Sequence, residues 1–330
     1  MNTSPVVKRH HFQFFGFKRQ IMIVLIGIQI LITGCSQGNR SVLPIPVPVV
    51  SPSSPILSEN SKALFTKYNW TLIQEVAKYS IDLPASFEHA PGDFPAIIYW
   101  AYNNELNKAI GLNLEPYLGK TVVAIIYSLK NEEPGYCTFP PEQTRGIIVQ
   151  YEGEIVGAWI DQGRHNGFAC SLNRKSFDEI TQQTWEAWLV SSGVVNVTNE
   201  LDNKLATMSP EELITFYYEA IDHQDYTSAY AVFSRGELVK YLFRNMADST
   251  LYNSSFADES HGGQWGILNI SSARLVNLES FLSTSYQVTV DLKFKQPDPT
   301  MPYDGTYSWF IEITKEIEML GWRIKSFGNG

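Results

Sequence analysis

Apolar positions along the chain recur with two periods, and the alternation of those periods predicts its elements. Ser61 to Tyr68 is long enough for a short helix. From Ala77 to Leu83, Ala77, Tyr79, Ile81 and Leu83 alternate with Lys78, Ser80 and Asp82, which predicts a half-buried strand ending at Pro84. Phe94, Ile98, Ala101, Tyr102, Leu106 and Ile110 then fall on one helical face, with Asp93 placed to cap the start and Gly111 to end it. Lys120 to Leu129 reads as a strong strand. Arg145–Tyr151 and Glu154–Ile160 form an alternating pair joined by Glu152-Gly153, where glycine supplies positive φ for a two-residue turn. Ser176-Phe177-Asp178-Glu179 is a capping box, because the Ser hydroxyl and Glu carboxylate each accept from an orphan N–H. The helix it opens carries Ile180, Thr184 and Trp188 on one stripe and runs to about Val190.

Residues 191–208 are polar and read as a linker. Ser209-Pro210-Glu211-Glu212 is a second capping box with proline at the first helical position, and Leu213, Phe216, Tyr217, Ala220 and Ile221 make the stripe that follows. Helices over Tyr226–Phe233 and Glu237–Met246 come next, then a loop, 248–264, and long strands. Tyr286, Val288, Val290, Leu292 and Phe294 alternate with polar partners, as do Tyr307, Trp309, Ile311 and Ile313, and Trp322 and Ile324 close the chain. The class predicted is α+β, with two domains, 61–190 and 209–330, each of helices packed on an antiparallel sheet.

Ile21 to Ile32 is apolar but for Gly27 and Gln29 and follows a basic segment with Lys8, Arg9, Lys18 and Arg19. A spanning helix needs about 20 apolar residues, so this run has the length of a signal-peptide core. Leu31-Ile32-Thr33-Gly34-Cys35 resembles the lipobox of bacterial lipoproteins, with Ile32 and Thr33 as departures from the commoner Leu and Ala or Ser. The resemblance implies that residues 1–34 are removed and that Cys35 carries the lipid. The alternative is an ordinary secretory signal, or an uncleaved anchor, with an incidental cysteine. Residues 35–60 are rich in Pro and Ser and read as an extended tether, which places the folded part outside the cytoplasmic membrane. The precursor has net charge −9, and the leader carries four basic residues and no acid, so the chain from Cys35 onward falls to −13. That balance, without a basic cluster, argues against nucleic-acid binding.

The run SPEELITFYYEAIDHQDYTSAYAVFS, followed by strands ending in LGWRIKSFGNG, resembles the nuclear transport factor 2-like superfamily over about residues 205–330. The resemblance implies a curved sheet wrapped on a long first helix, a cone that in some members holds a pocket. YNNELNKAIGLNLEPYLGKTV and RGIIVQYEGEIVGAWI make 61–190 similar to an uncharacterised domain of lipoproteins from Gram-positive spore-forming bacteria. No functional residue follows from it.

Tyr217, Trp309 and Trp322 are candidates to line an apolar pocket, although aromatic stripes on alternating strands are more often plain core. Alternation puts Asp291, Glu312, Arg323 and Lys325 on the opposite, solvent face. Asp222-His223 ends a helix, where the dipole favours a cation. Asp258, Glu259 and His261 sit in a Gly-rich loop without metal-ligand spacing, and His89 and His165 are isolated. Phosphate loops, GxSxG, HExxH and CxxC are absent, so no cofactor is expected. Three readings follow: a non-catalytic binding or sensory lipoprotein engaging a small apolar ligand, a peptide or an envelope protein; an isomerase or hydratase using the second domain; and a structural adaptor of the envelope.

By the hairpin register Cys137 faces position 168, two residues from Cys170, and an oxidising compartment favours a bridge between them; Pro140 and Pro141 disturb that register and leave two thiols as the alternative. Mass analysis of protein lacking Cys35, with and without reductant, is expected to differ by about two daltons, the two hydrogens of one disulfide. Equal masses would exclude the bridge.

Overall fold

A computed structural model of the chain describes residues 57–93, 95–130, 144–161, 169–244, 267–296 and 303–328. Cys35 and the tether up to residue 56 lie outside these residues, as do Phe94, Cys137, His165, Met246, Asp258, Glu259 and His261. Two separate four-stranded antiparallel sheets, each with its own packed helices, make up an α+β architecture, and both belong to one compact unit, Ser51–Gly330.

The first module holds helix α1 (Glu59–Lys67), strand β1 (Thr71–Asp82), helix α2 (Ala96–Lys108), and strands β2 (Thr121–Lys130), β3 (Arg145–Tyr151) and β4 (Glu154–Asp161), paired in sequence order. Both faces of this sheet are covered. Ile126, Ile147, Val149 and Trp159 pack with Ile98, Tyr102 and Leu106 of α2, whereas Ile125, Tyr127, Ile148 and Ala158 pack with Phe65 of α1, Trp70 and Leu172. Burial on both faces is why β2 reads as a nearly continuous apolar run instead of an alternation.

Helix α2 is buried almost all round, including Asn103, Asn104 and Asn107. The amides pair with backbone: Leu114 N–H donates to Asn104 Oδ1 at 2.7 Å, and Ala158 N–H donates to Asn107 Oδ1 at 2.7 Å. Asp93 does not cap α2. Pro95 occupies the cap position, and Asp93 instead closes the preceding turn by accepting from Ala90 N–H at 3.2 Å. The β3–β4 hairpin has Tyr151 opposite Glu154, as the turn residues Glu152 and Gly153, both at positive φ, require. One bulge then shifts the register by a residue, so that Val149 faces Gly157 and Ile147 faces Trp159. Among the described residues there is no disulfide; Cys170 is buried in a bridge to Ile160 of β4.

The Ser176 capping box forms, with Glu179 N–H donating to Ser176 Oγ at 3.3 Å and Ser176 N–H to Glu179 Oε2 at 2.7 Å. Its helix, however, is two helices, α3 (Phe177–Thr181) and α4 (Trp185–Ser191). Gln182 turns left-handed at φ 55°, and Thr184, expected on the apolar stripe, caps α4 by accepting from Ala187 N–H. The segment expected to be a linker carries a further helix, α5 (Glu200–Ala206), capped by Asn199.

The second module continues with α6 (Pro210–Asp222), opened by the Ser209 capping box, then α7 (Tyr226–Ala231), α8 (Arg235–Arg244) and strands β5 (Ile270–Leu282), β6 (Ser285–Phe294), β7 (Gly305–Thr314) and β8 (Arg323–Gly328) in sequence order. Val288, Val290, Ile311, Ile313 and Ile324 face α6, which buries Leu213, Ile214, Tyr217, Tyr218 and Ile221 against them. The other face is largely polar apart from Phe310: Thr306 Oγ1 donates to Asp291, Thr289 and Ser308 share a hydrogen bond, and Lys325 pairs with Glu312 at 2.8 Å. Strand β5 escapes the periodic pattern because three register shifts interrupt its pairing with β6. The extra residues of the edge strands β1 and β5 include Ile73, Val76, Val276 and Phe281, which are exposed.

Gly146 of β3 lies under Phe65, two of whose ring carbons sit 2.4 and 2.6 Å from where a Cβ would be. Gly146→Ala is expected to destabilise the fold by about 1–3 kcal/mol through overpacking. Urea denaturation reads the loss, and Phe65→Leu in the same background is expected to recover part of it. A midpoint unchanged by Gly146→Ala would refute the close approach.

Candidate functional site

Short helix α5 separates two polar features, one buried and one open. Its inward side carries Asp202 and Leu205, and its outward side Lys204 and, just past the last turn, Thr207. Asp202, 1 % exposed, receives the Arg235 guanidinium as a fork, Nη1 to Oδ1 at 3.1 Å and Nη2 to Oδ2 at 2.7 Å. Arg323 Nη2 donates to Oδ1 of the same carboxylate at 2.7 Å. Arg323 is therefore not on the solvent face. It enters β8 from the 3₁₀ turn Glu318–Leu320, and a register shift between Glu312 and Ile313 breaks the alternation, so that Arg323 and Ile324 are both buried. Burial pushes the Asp202 carboxyl up, but Arg235 and Arg323 outweigh it and hold the pKa below the usual carboxylate range.

A second carboxylate extends this network towards the first module. Glu316 accepts from Arg235 N–H and Gly236 N–H, each at 2.7 Å, and from Trp185 Nε1–H at 3.0 Å. It thereby satisfies two orphan donors at the start of α8 with a negative charge at the positive helix end. Val239 of α8, Ile317 and Leu320 share one core cluster with Tyr99, Trp100, Trp188 and Leu189, so apolar packing crosses the same junction. Gly321, at φ 69°, lets the backbone pass Ala206 at the end of α5, where a Cβ would come within 2.7 Å of the Ala206 carbonyl oxygen. His89 is buried nearby, its Nε2 within 3.0 Å of Asp93 O. Burial, with the charge of Arg235 adding to it, lowers its pKa to about 3.

On the outward side, Lys204, Thr207 and Met208 face Glu211, Glu212, Thr215, Phe216 and Glu219 of α6 across an open groove of about 590 Å³. Lys204 Nζ stands 5.0 Å over the Phe216 ring. Tyr286 OH donates to Glu211 Oε1 at 3.0 Å, and Glu212 Oε2 accepts from Ser209 N–H at 2.8 Å, so two of the three carboxylates are fixed from behind. Three carboxylates against one ammonium, beside an aromatic ring and a thioether, suit a cation that carries apolar groups.

The aromatic candidates lie elsewhere. Tyr217 is buried against Phe233 and Phe327, and burial raises its phenol pKa. Trp309 is half-buried, donates from Nε1 to Tyr218 OH at 2.8 Å and meets Phe327 at 6.4 Å between ring centroids. Tyr217 and Trp309 thus converge on Phe327, while half-buried Trp322 stands before β8 with Lys315 Nζ 5.2 Å from its ring. Asp222 accepts from Ser272 Oγ at 2.7 Å and Ala273 N–H at 2.9 Å, tying α6 to β5, and His223 Nδ1 lies 2.8 Å from Glu219 O at the helix end. Among the described residues no three His, Cys, Asp or Glu are placed to hold a metal ion, and no helix is long and apolar enough to cross a membrane. Periodicity points to neither Asp202 nor Glu316, since each is one charge in a short polar stretch; the Asn199 cap and the acidic first turn of α5 are the only local signals.

The depressed pKa of His89 sets a sign for acid stability. Between pH 6.5 and 3 the unfolded chain binds a proton that the folded chain refuses, so stability falls as pH drops, by up to about 1.4 kcal/mol per unit. Asp202 acts later: its stabilisation is complete above the usual carboxylate pKa, near 4, and is lost only as pH falls further. Between pH 6.5 and 5 the His89 contribution to the loss is therefore expected to reach about 2 kcal/mol in urea denaturation. His89→Gln is expected to flatten that dependence, and an equal slope in the variant would refute the assignment.

Residues 64–160 match the model of a domain of unknown function, DUF4830, and residues 211–328 that of a second domain of unknown function, DUF4829. No curated protein and no solved structure matches the chain. The connector between the matched segments supplies Trp185, Asp202, Lys204, Thr207 and Met208, and with them one wall of the groove and part of the buried network.

Proposed function

We propose that the chain is a non-catalytic binding protein outside the cytoplasmic membrane, held to it by lipidated Cys35 through the Pro- and Ser-rich tether that precedes α1. In this reading it takes a short basic peptide segment into the groove between α5 and α6. The observation that carries the reading is the groove itself, where Glu211, Glu212 and Glu219 surround Phe216 and Met208. Peptide ammonium groups meet the carboxylates while their aliphatic stems lie on the ring. The Ile21–Cys35 stretch supports the address, and the net charge of −13 from Cys35 onward keeps anionic partners away while drawing cations in. The second module then serves as a cone of the nuclear transport factor 2-like kind whose interior is packed around Tyr217 and whose ligand surface is the outer side of its long helix. An apolar ligand inside the cone, the expectation for Tyr217, Trp309 and Trp322, has less support, because Tyr217 is enclosed by Phe233 and Phe327.

Calorimetric titration of the full chain in detergent with a hexapeptide of alternating Lys and Leu tests this. Two exposed charge contacts at roughly 0.5–1 kcal/mol each amount to about tenfold in affinity, the loss expected for the double variant Glu211→Gln, Glu219→Gln. Half-molar salt is expected to weaken the wild type similarly. No binding by the wild type, or equal binding of a Glu-Leu hexapeptide, would overturn the reading.

A further inference from the structure

We infer that the groove and the junction of the two modules are coupled through α5, so that a ligand in the groove tightens the junction and a loosened junction weakens the groove. The ligand half of this inference rests on the peptide-binding reading above. The mechanical half stands on geometry alone. One side of α5 is wall to the groove through Lys204 and the following Thr207 and Met208. Its other side is fixed by Asp202, whose carboxylate both Arg235 and Arg323 hold. Arg235 and Gly236 start α8, and their backbone N–H groups bind the Glu316 carboxylate that also takes the Trp185 indole N–H. A continuous path therefore runs from Trp185, on α4, by hydrogen bonds through Glu316 to the Arg235 backbone, and by the Arg235 side chain to Asp202 on α5, the helix that walls the groove.

A second contact acts in parallel. The end of α5 at Ala206 presses on Gly321, next to the turn whose Leu320, with Ile317 before it, enters the core cluster of Tyr99 and Trp188. Seven residues long, α5 has too few internal hydrogen bonds to persist by itself, so its position depends on these outside contacts. A ligand bridging α5 and α6 pins α5 where Asp202 is paired. By linkage, the pairing of Asp202 favours the ligand in equal measure.

Hydrogen exchange of the full chain tests both halves. Trp185→Phe keeps a ring and removes the donor to Glu316. It is expected to raise exchange at 200–208 by about fivefold or more, as well as at 235–239, while the surface variant Lys62→Ala leaves both unchanged. Addition of the Lys-Leu hexapeptide to the wild type is expected to slow exchange at 185–191, which the groove does not touch. Asp202→Asn is expected to lose that distant protection and to bind the peptide more weakly. Loosening confined to 235–239 in Trp185→Phe, with 200–208 unchanged, would overturn the coupling. A peptide that fails to bind the wild type removes the peptide-binding reading, while the exchange of Trp185→Phe still decides whether α5 transmits.

Discussion

The carboxylate of Asp202 is the interaction on which the arrangement of this molecule depends. It stands between two buried guanidiniums, from α8 and the start of β8, which would otherwise repel each other in a medium that screens poorly. Removal of one partner of a buried ion pair typically costs about 3–5 kcal/mol, because the remaining charge stays uncompensated, and here two charges would remain. Such a pairing contributes less to net stability than an apolar core of the same volume. What it imposes is geometry, since α5 must be placed where one carboxylate meets both arginines.

Glu316 imposes geometry in the same way, with peptide N–H groups and an indole in place of guanidiniums. Gly236 leaves room there, since a Cβ would come within 2.7 Å of Glu316 Oε1 and push the carboxylate aside. Around these two carboxylates the apolar contacts of Val239, Ile317 and Leu320 join the first module's core. Polar contacts thus set the orientation of the junction, and apolar burial supplies the larger part of its free energy.

The two sheets meet solvent differently. The first is covered on both faces, so its central strands lose alternation and become continuously apolar. The second has a packed face on α6 and a largely polar face with Asp291, Thr306, Thr289, Ser308, Glu312 and Lys325. Both first strands, β1 and β5, are edges interrupted by bulges, and a bulged edge is a poor template for pairing with another chain. The same bulges turn Ile73, Val76, Val276 and Phe281 outward, which accounts for apolar side chains standing in solvent.

Local chemistry in the sequence was enough for the capping boxes at Ser176 and Ser209, the Glu152-Gly153 hairpin turn, the strands with an unbroken period and the α+β class, because each rests on neighbours within four residues or on a strict period. It was not enough wherever a distant group overrode the local rule. Thr184 became a cap because Gln182 ended the preceding helix, and β5 stayed hidden because its bulges break the period. Residues 200–206 looked like linker because a seven-residue helix has no stable pattern of its own. Arg323 passed for a surface charge because alternation cannot register a carboxylate 121 positions away. The sequence by itself thus determined the α+β class and the elements with strict periods or local caps. Only the tertiary structure decided which charges are buried, and so where the groove stands, because the partner that makes a buried charge affordable lies far along the chain.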